Sequence, residues 1–330
     1  MNLTIIDETS GNPFRYFEDD CNSVETFPRS YKKPETFQTI WSGLFTLLGL
    51  EGRAASCLEV GAGHSLLSSQ ALSSAGAMVT VLDADRERRH TFITSEKYFE
   101  FGAKLGKDIA IPRLAGRDEK TEYYLGDVAF LRDEKSALKE HAFDLIYFWG
   151  SLHSEGICSS VTQSRTPREA GIHIPFRERI QQVIPAVREG GALLAVSGYF
   201  SGHFEETPKD ISYLNRRLLD LALYWAVSTP RKATSVGVIG YTKEAIVQRF
   251  QDSPSPDHVN DRRKRYSCNE MEEHILSDPL EQIIHDNDYS HFGKDEDYKA
   301  LRAAVEHLLP DQELRKLNTL GCIDAVLVRY

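Results

Sequence analysis

Cys57-Leu58-Glu59-Val60-Gly61-Ala62-Gly63-His64-Ser65 decides the fold of this 330-residue chain. The stretch reads as a buried β-strand that runs into a glycine turn and then a helix. Gly61 and Gly63 carry no side chain, so the turn can bend sharply and a ligand can lie against bare backbone. Ser65 stands where it can cap the following helix, whose apolar face begins with Leu66, Leu67 and Ala71. Free N–H groups at such a helix start suit a carboxylate or a phosphate. A strand followed by Gly-x-Gly is common in purely structural turns, so the rest of the chain has to sharpen the reading.

Met78-Val79-Thr80-Val81-Leu82 is a second apolar run, and it ends in Asp83, 22 residues beyond Gly61. An acid at the end of the second strand, roughly 20 residues after the glycine turn, is placed to accept hydrogen bonds from ribose hydroxyls. Dinucleotides and S-adenosylmethionine both use this layout. The dinucleotide fingerprint needs a third glycine to pack helix and strand around a pyrophosphate, and here that position is Leu66. Glu59 also stands two residues before the first glycine. Both details disfavour NAD and fit a ligand with a thioether-like middle.

Further segments extend the pattern. They are Tyr123-Tyr124-Leu125-Gly126-Asp127-Val128, Phe143-Asp144-Leu145-Ile146-Tyr147-Phe148-Trp149, and Val187-Arg188-Glu189-Gly190-Gly191 running on to Val196. With Glu59 to Ser65 and Asp83, they resemble in order and spacing the class I S-adenosylmethionine-dependent methyltransferases, small-molecule type, the Val187 to Val196 segment looking like the family's helix-GG-strand unit. The resemblance covers about residues 50–200. It implies an α/β, doubly wound Rossmann-like sheet of seven strands, mostly parallel with an antiparallel C-terminal strand, plus a helical cap. It also implies S-adenosylmethionine as cofactor. Gly61 and Gly63 would line its methionine moiety, Asp83 its ribose (Asp85 being the alternative), and Gly126, Asp127 and Val128 its adenine. Glu59 and Phe148 complete the expected cofactor-binding set. A doubly wound domain with an unrelated ligand is the competing reading, since fold alone does not assign function.

Composition agrees with a globular enzyme: 41% hydrophobic and 27% charged residues are ordinary values. Apolar runs stay well short of the ~20 residues of a membrane span. Residues 1–10 contain Asp7 and Glu8 and no basic residue, unlike a secretory or mitochondrial address. Cys21, Cys57, Cys158, Cys268 and Cys322 are dispersed without C-x-x-C spacing. That dispersion suits reduced thiols in the cytoplasm and indicates neither zinc nor a disulfide framework.

The formal net charge of −10 discriminates among methyl acceptors. Enzymes that hold RNA or DNA carry basic surfaces to meet phosphates. Arg262-Arg263-Lys264-Arg265 is the single concentrated basic stretch, readable as a solvated loop or as a contact for an acidic substrate. The fourth-strand segment continues into Gly150-Ser151, not the (N/D)-P-P-(Y/F) turn of base-amino methyltransferases. Nucleic acid and membrane are therefore not expected partners; a small-molecule substrate is.

Four regions are expected: an N-terminal lid or helical segment at 1–50, the cofactor-binding core at 51–200, a substrate-side helical cap at 201–317, and a final sheet strand at 318–330. Residues 1–35, punctuated by Gly11, Pro13, Pro28 and Pro34, read as extended or loop structure with one short helix. Phe37, Ile40, Trp41, Leu44, Phe45 and Leu48 recur at helical spacing and predict an amphipathic helix over 36–50. Helical patterns follow at 210–227, 242–250, 269–285 and 295–309. Val236 to Tyr241 reads either as the sixth strand or as a substrate-side hairpin, and Ile323 to Val328 as the last strand.

Methyl transfer is an in-line displacement, so alignment is the first requirement. A hydroxyl or ammonium acceptor also needs a base. His153, just past the fourth strand, is the candidate catalytic residue. It resembles the histidine of the L-H-D segment in small-molecule O-methyltransferases, although Ser154 replaces the Asp. A loop histidine that moves no proton is the competing reading. His173 and His203 are weaker rivals, and His64 fits packing near the cofactor. The run His285 to His291 reads as a solvated loop and not a metal cluster. O- or N-methylation of a small molecule in a capped pocket is the leading expectation. The alternatives are a protein or peptide methyltransferase, or a cofactor-binding relative that transfers no methyl.

Overall fold

A computed structural model of the protein describes residues 2–6, 13–14, 34–61, 67–83, 121–125, 131, 138–149, 183–196, 218–219, 222–223, 225–227, 231–242, 244, 303, 317 and 319–330. Two compact units emerge. One comprises Glu25–Leu194 with Tyr330, the other Met1–Val24 with Ala195–Arg329.

Among the described residues, five strands belong wholly or mostly to the first unit: β2 (Ser56–Val60), β3 (Met78–Asp83), β4 (Thr121–Leu125), β5 (Phe143–Trp149) and β6 (Val187–Val196). Their order across the sheet is β6-β5-β2-β3-β4. The pairs β2–β3, β2–β5 and β3–β4 are all parallel. Parallel strands covered on both faces carry near-continuous apolar runs, and six of the seven residues of β5 are buried. From β2 the chain steps outward through β3 and β4, then returns to the other side of β2 for β5 and β6. The reversal of direction lies between β2 and β5. In open α/β sheets that crevice, at the carboxyl ends of the strands, is where ligands bind.

Among the described residues, two α-helices accompany these strands. Helix α1 (Pro34–Leu48) starts with Pro34, whose missing N–H costs nothing in a first turn, and Glu35, whose charge suits the helix dipole. Phe37, Ile40, Trp41, Leu44, Phe45 and Leu48 are all buried, as the helical spacing predicts. Its end is a Schellman motif: Gly49 takes φ +68°, its N–H reaches the Thr46 carbonyl at 3.1 Å, and Leu50 N–H reaches that of Phe45 at 3.0 Å. Helix α2 (Leu67–Ser74) ends the same way. Gly76 (φ +98°) donates to the Ser73 carbonyl at 2.9 Å, and Ala77 donates to Leu72 at 3.3 Å. Each motif turns its helix directly toward the next strand.

At the amino end of the sheet, Asp144 joins three segments. Its carboxylate accepts the Ser56 N–H at 2.8 Å and pairs with the Arg188 guanidinium at 2.9 and 3.0 Å, while Arg188 also donates to the Ala142 carbonyl. The stretch from Val187 was expected as helix, glycine pair, then strand. Instead β6 begins at Val187 itself, after a single 3-10 turn over Ile184–Ala186. Gly191 permits this close passage: a Cβ there would lie 2.9 Å from the carbonyl oxygens of Arg188 and Asp144.

The second unit contains β1 (Asn2–Ile6), β7 (Ser235–Thr242) and β8 (Leu320–Arg329), in the order β1-β7-β8. β1 is parallel to β7, and β7 is antiparallel to β8. Val236–Tyr241 is therefore a sheet strand paired with the final strand, not a local hairpin. Asp324 falls between the residues opposite Ile239 and Gly240, at a β-bulge, and is fully buried.

The expected count of seven strands is corrected to eight among the described residues. The additional strand is β1, in the polar N-terminal region read as extended or loop. Thr4, Ile5 and Ile6 favour extended structure, and with Leu3 and Ile6 buried these five residues suffice once β7 supplies their hydrogen bonds. Scattered helical residues at 218–219, 222–223 and 225–227 fall in the expected 210–227 helix. Most of the expected cap lies outside the described residues.

Candidate functional site

β2 delivers its last residue, Val60, into Gly61, which adopts φ +76°. An L-side chain resists that conformation, so glycine is required for the turn. The Gly61 N–H donates to the Leu82 carbonyl at 2.7 Å, setting the turn beside Asp83, the last residue of β3. Gly61 and the acidic strand end thus lie side by side at the carboxyl edge of the parallel strands. The sequence spacing anticipated this juxtaposition.

Beneath the turn lies a buried polar cluster. Glu59 is 1% exposed, and it lies opposite Val81 of β3 and Tyr147 of β5 in register. Its Oε2 accepts the Tyr147 hydroxyl at 2.9 Å and also the hydroxyl of Ser69, in α2. One residue earlier in α2, Ser68 Oγ accepts the Trp41 indole N–H at 3.1 Å. The Trp41 ring meets Tyr147 edge-on at 4.8 Å and Trp149 at 5.5 Å, and Phe37 packs on Trp149 at 5.3 Å. Burial raises the Tyr147 phenol well above its ordinary range. The Glu59 charge adds to that, against the opposing pull of hydrogen bonds with Ser69 and Ser68. Tyr147 is thus held protonated, as a donor to Glu59. Burial likewise pushes up the Cys57 thiol, with a further contribution from Asp144, so this cysteine is an inert core residue.

Of the expected site residues, Glu59, Gly61 and Asp83 come together at neighbouring strand ends. Phe148 lies in the same region of β5 but faces the opposite side of the sheet from Tyr147, and is 1% exposed. Gly63, Gly126, Asp127 and Val128 lie outside the described residues, as do Asp85, His64, His153, His173 and His203. The basic run at 262–265 and the 285–291 segment lie outside them too. Among the described residues, no group of His, Cys, Asp or Glu could hold a metal ion, and no helix is long and apolar enough to cross a membrane.

Sequence reasoning missed Ser69 and Tyr147. Tyr147 looked like one more apolar strand residue, and only the register of β5 against β2 brings its hydroxyl to Glu59.

No family model matches the chain, and no curated protein sequence does. Solved structures give loose likenesses. The CcbJ methyltransferase from Streptomyces caelestis is 13% identical, with 47% of each chain covered and a TM-score of 0.28. An amino pentose methyltransferase of calicheamicin biosynthesis from Micromonospora echinaspora, solved with SAM bound, is 13% identical. There the match covers 50% of this chain and 52% of that one, with a TM-score of 0.30. A protein described as an antibiotic-biosynthesis methyltransferase from Anabaena variabilis is 13% identical over 88% of this chain and 96% of that one, with a TM-score of 0.37. The chain spans about half the length of the first two. Likenesses this loose carry no argument about the chain's activity, which rests on its own residues.

Proposed function

We propose that this chain is a class I S-adenosylmethionine-dependent methyltransferase that methylates oxygen or nitrogen of a small molecule. One observation carries the reading: Gly61, at φ +76° and bonded through its N–H to Leu82, brings the glycine turn beside Asp83. That pair lies next to the point where the strand order of the parallel sheet reverses. Leu66 in place of a third glycine favours this cofactor over a dinucleotide.

The residues present fit the group. A bare backbone turn at Gly61 admits close approach, and an acid ends the adjacent strand. Gly61 and Gly63 would line the methionine portion, Asp83 the ribose, and Gly126, Asp127 and Val128 the adenine. When bound, the cofactor supplies a methyl group activated on sulfonium sulfur. The protein's part is to hold the acceptor in line and exclude water. His153, four residues beyond Trp149 at the end of β5, would take the acceptor's proton. The segment 201–317 would close over the substrate as a cap, and the acidic charge of −10 disfavours a nucleic-acid acceptor.

Titrating S-adenosylmethionine into the protein by calorimetry, then repeating with Asp83→Ala, tests the assignment. Loss of a charge-assisted contact worth roughly 1.5–3 kcal/mol per bond should weaken binding at least tenfold. Unchanged affinity in the variant would remove Asp83 from the site. Reactions with a labelled methyl donor, followed by mass spectrometry, separate a small-molecule product from a methylated protein.

A further inference from the structure

Glu59 is a carboxylate sealed within the layer between sheet and helices, at 1% exposure. Burying a charge there is costly unless it is hydrogen-bonded, and an apolar residue could fill the same space. What the carboxylate adds is direction. Its Oε2 ties α2 to the sheet through Ser69 and ties β5 to β2 through Tyr147 at 2.9 Å. A second tether runs from Trp41 of α1 to Ser68 at 3.1 Å, and Trp41 rests edge-on against Tyr147 at 4.8 Å. Four elements thus close a ring around two adjacent serines in the opening turns of α2.

The position of that ring in the chain gives it a consequence. Glu59 stands two residues before Gly61, where β2 leaves the sheet, and Ser69 stands two residues after Leu67, where α2 begins. The bond between them therefore ties together the two ends that flank residues 61–66, the end of β2 and the start of α2. Hydrogen bonds set the separation of those ends far more narrowly than apolar packing does.

We propose that Ser69 and Tyr147 are positioning residues for cofactor binding: acting through Glu59, they hold the Gly61 turn at the spacing its ligand requires. This rests on the S-adenosylmethionine reading above. Neither residue needs to touch the ligand.

The experiment measures S-adenosylmethionine affinity by calorimetry, well below the melting temperature, for the full chain and for Ser69→Ala, Ser69→Thr, Tyr147→Phe and Ser69→Ala/Tyr147→Phe. Val326→Ala, a core truncation in the other unit, controls for simple loss of stability. Each single variant should weaken cofactor binding by about tenfold, the effect of leaving a buried acceptor one partner short. The double variant should fall short of the product of the two, because both hydroxyls serve one oxygen. Ser69→Thr, which keeps a hydroxyl, should bind close to wild type, and Val326→Ala should melt earlier but bind normally. Should the single variants melt earlier yet bind like wild type, the ring is a stability element and the proposal is overturned. If Ser69→Ala does not fold, Tyr147→Phe alone decides, since it removes a single oxygen. A wild-type chain that gives no binding heat removes the methyltransferase reading, and this inference with it.

Discussion

Replacing Gly61 with alanine separates backbone strain from ligand contact, because Gly49 provides a matched control. Gly61 sits at φ +76° and Gly49 at φ +68°. An L-residue in the left-handed region costs roughly 1–2 kcal/mol. Alanine also narrows the unfolded chain's freedom, which offsets about 0.4–1 kcal/mol of that. The net loss is about 0.5–1 kcal/mol for either variant, or a melting temperature lower by roughly 1–4 °C. A Cβ at Gly49 meets nothing within 4 Å, so strain is the whole of its effect. Gly61 differs in lying at the carboxyl ends of the parallel strands, where the ligand is proposed to bind, with its N–H committed to Leu82 at 2.7 Å. Any adjustment that relieves its φ must shift the turn against Asp83. Thermal melts should therefore show two similar variants, while calorimetry should show S-adenosylmethionine binding weakened about tenfold or more in Gly61→Ala alone. Equal cofactor affinity in the two variants would refute the placement of the ligand on the Gly61 turn.

Other outcomes follow from the same geometry. His153→Ala should lower turnover by about two orders of magnitude or more, with cofactor affinity nearly unchanged and the acidic limb of the pH–rate profile lost; retained turnover would leave alignment as the mechanism. Urea denaturation should rank Asp144→Ala below Arg188→Ala. Arg188 is 52% exposed, so its ion pair contributes under about 1 kcal/mol, whereas losing Asp144 also strips the Ser56 N–H of its acceptor, for about 1–2 kcal/mol more. At alkaline pH the buried phenol of Tyr147 stays protonated in the fold but ionises in the unfolded chain at about pH 10. Its raised value makes a stabilising contribution that is full below that pH and lost as pH rises further. The stability of Tyr147→Phe should accordingly fall less steeply than wild type between about pH 10 and 11, measured by denaturant midpoint.

The local elements were legible in the sequence because each obeys a short-range rule. The spacing of Phe37, Ile40, Trp41, Leu44, Phe45 and Leu48 specified α1 and its buried face. Continuous apolar runs marked β2, β3, β5 and β8. The candidate site was partly legible for a similar reason. A strand, a glycine that must take positive φ, and an acid at the end of the next strand are all read along the chain within some 25 residues of Glu59. β1 escaped because five residues in a polar region carry too little pattern to declare a strand, and their hydrogen bonds come from β7, more than 200 residues away. The start of β6 was misjudged because Val187-Arg188-Glu189 has acceptable helix formers, and the tertiary pull of Asp144 on Arg188 is invisible locally.

By itself, the sequence determined the class of the fold, the glycine turn and the acid that follows it, since periodicity and backbone chemistry act over a few residues. Tertiary structure alone decided that Val236–Tyr241 is a sheet strand against the C-terminal one, because pairing partners 78 to 94 residues apart leave no local trace. It also decided that Glu59 sits in a closed ring with Ser69 and Tyr147. A carboxylate two residues before a glycine looks the same on paper whether it faces solvent, ligand or core. Its partner comes from 88 residues down the chain and is chosen by the register of β5 on β2.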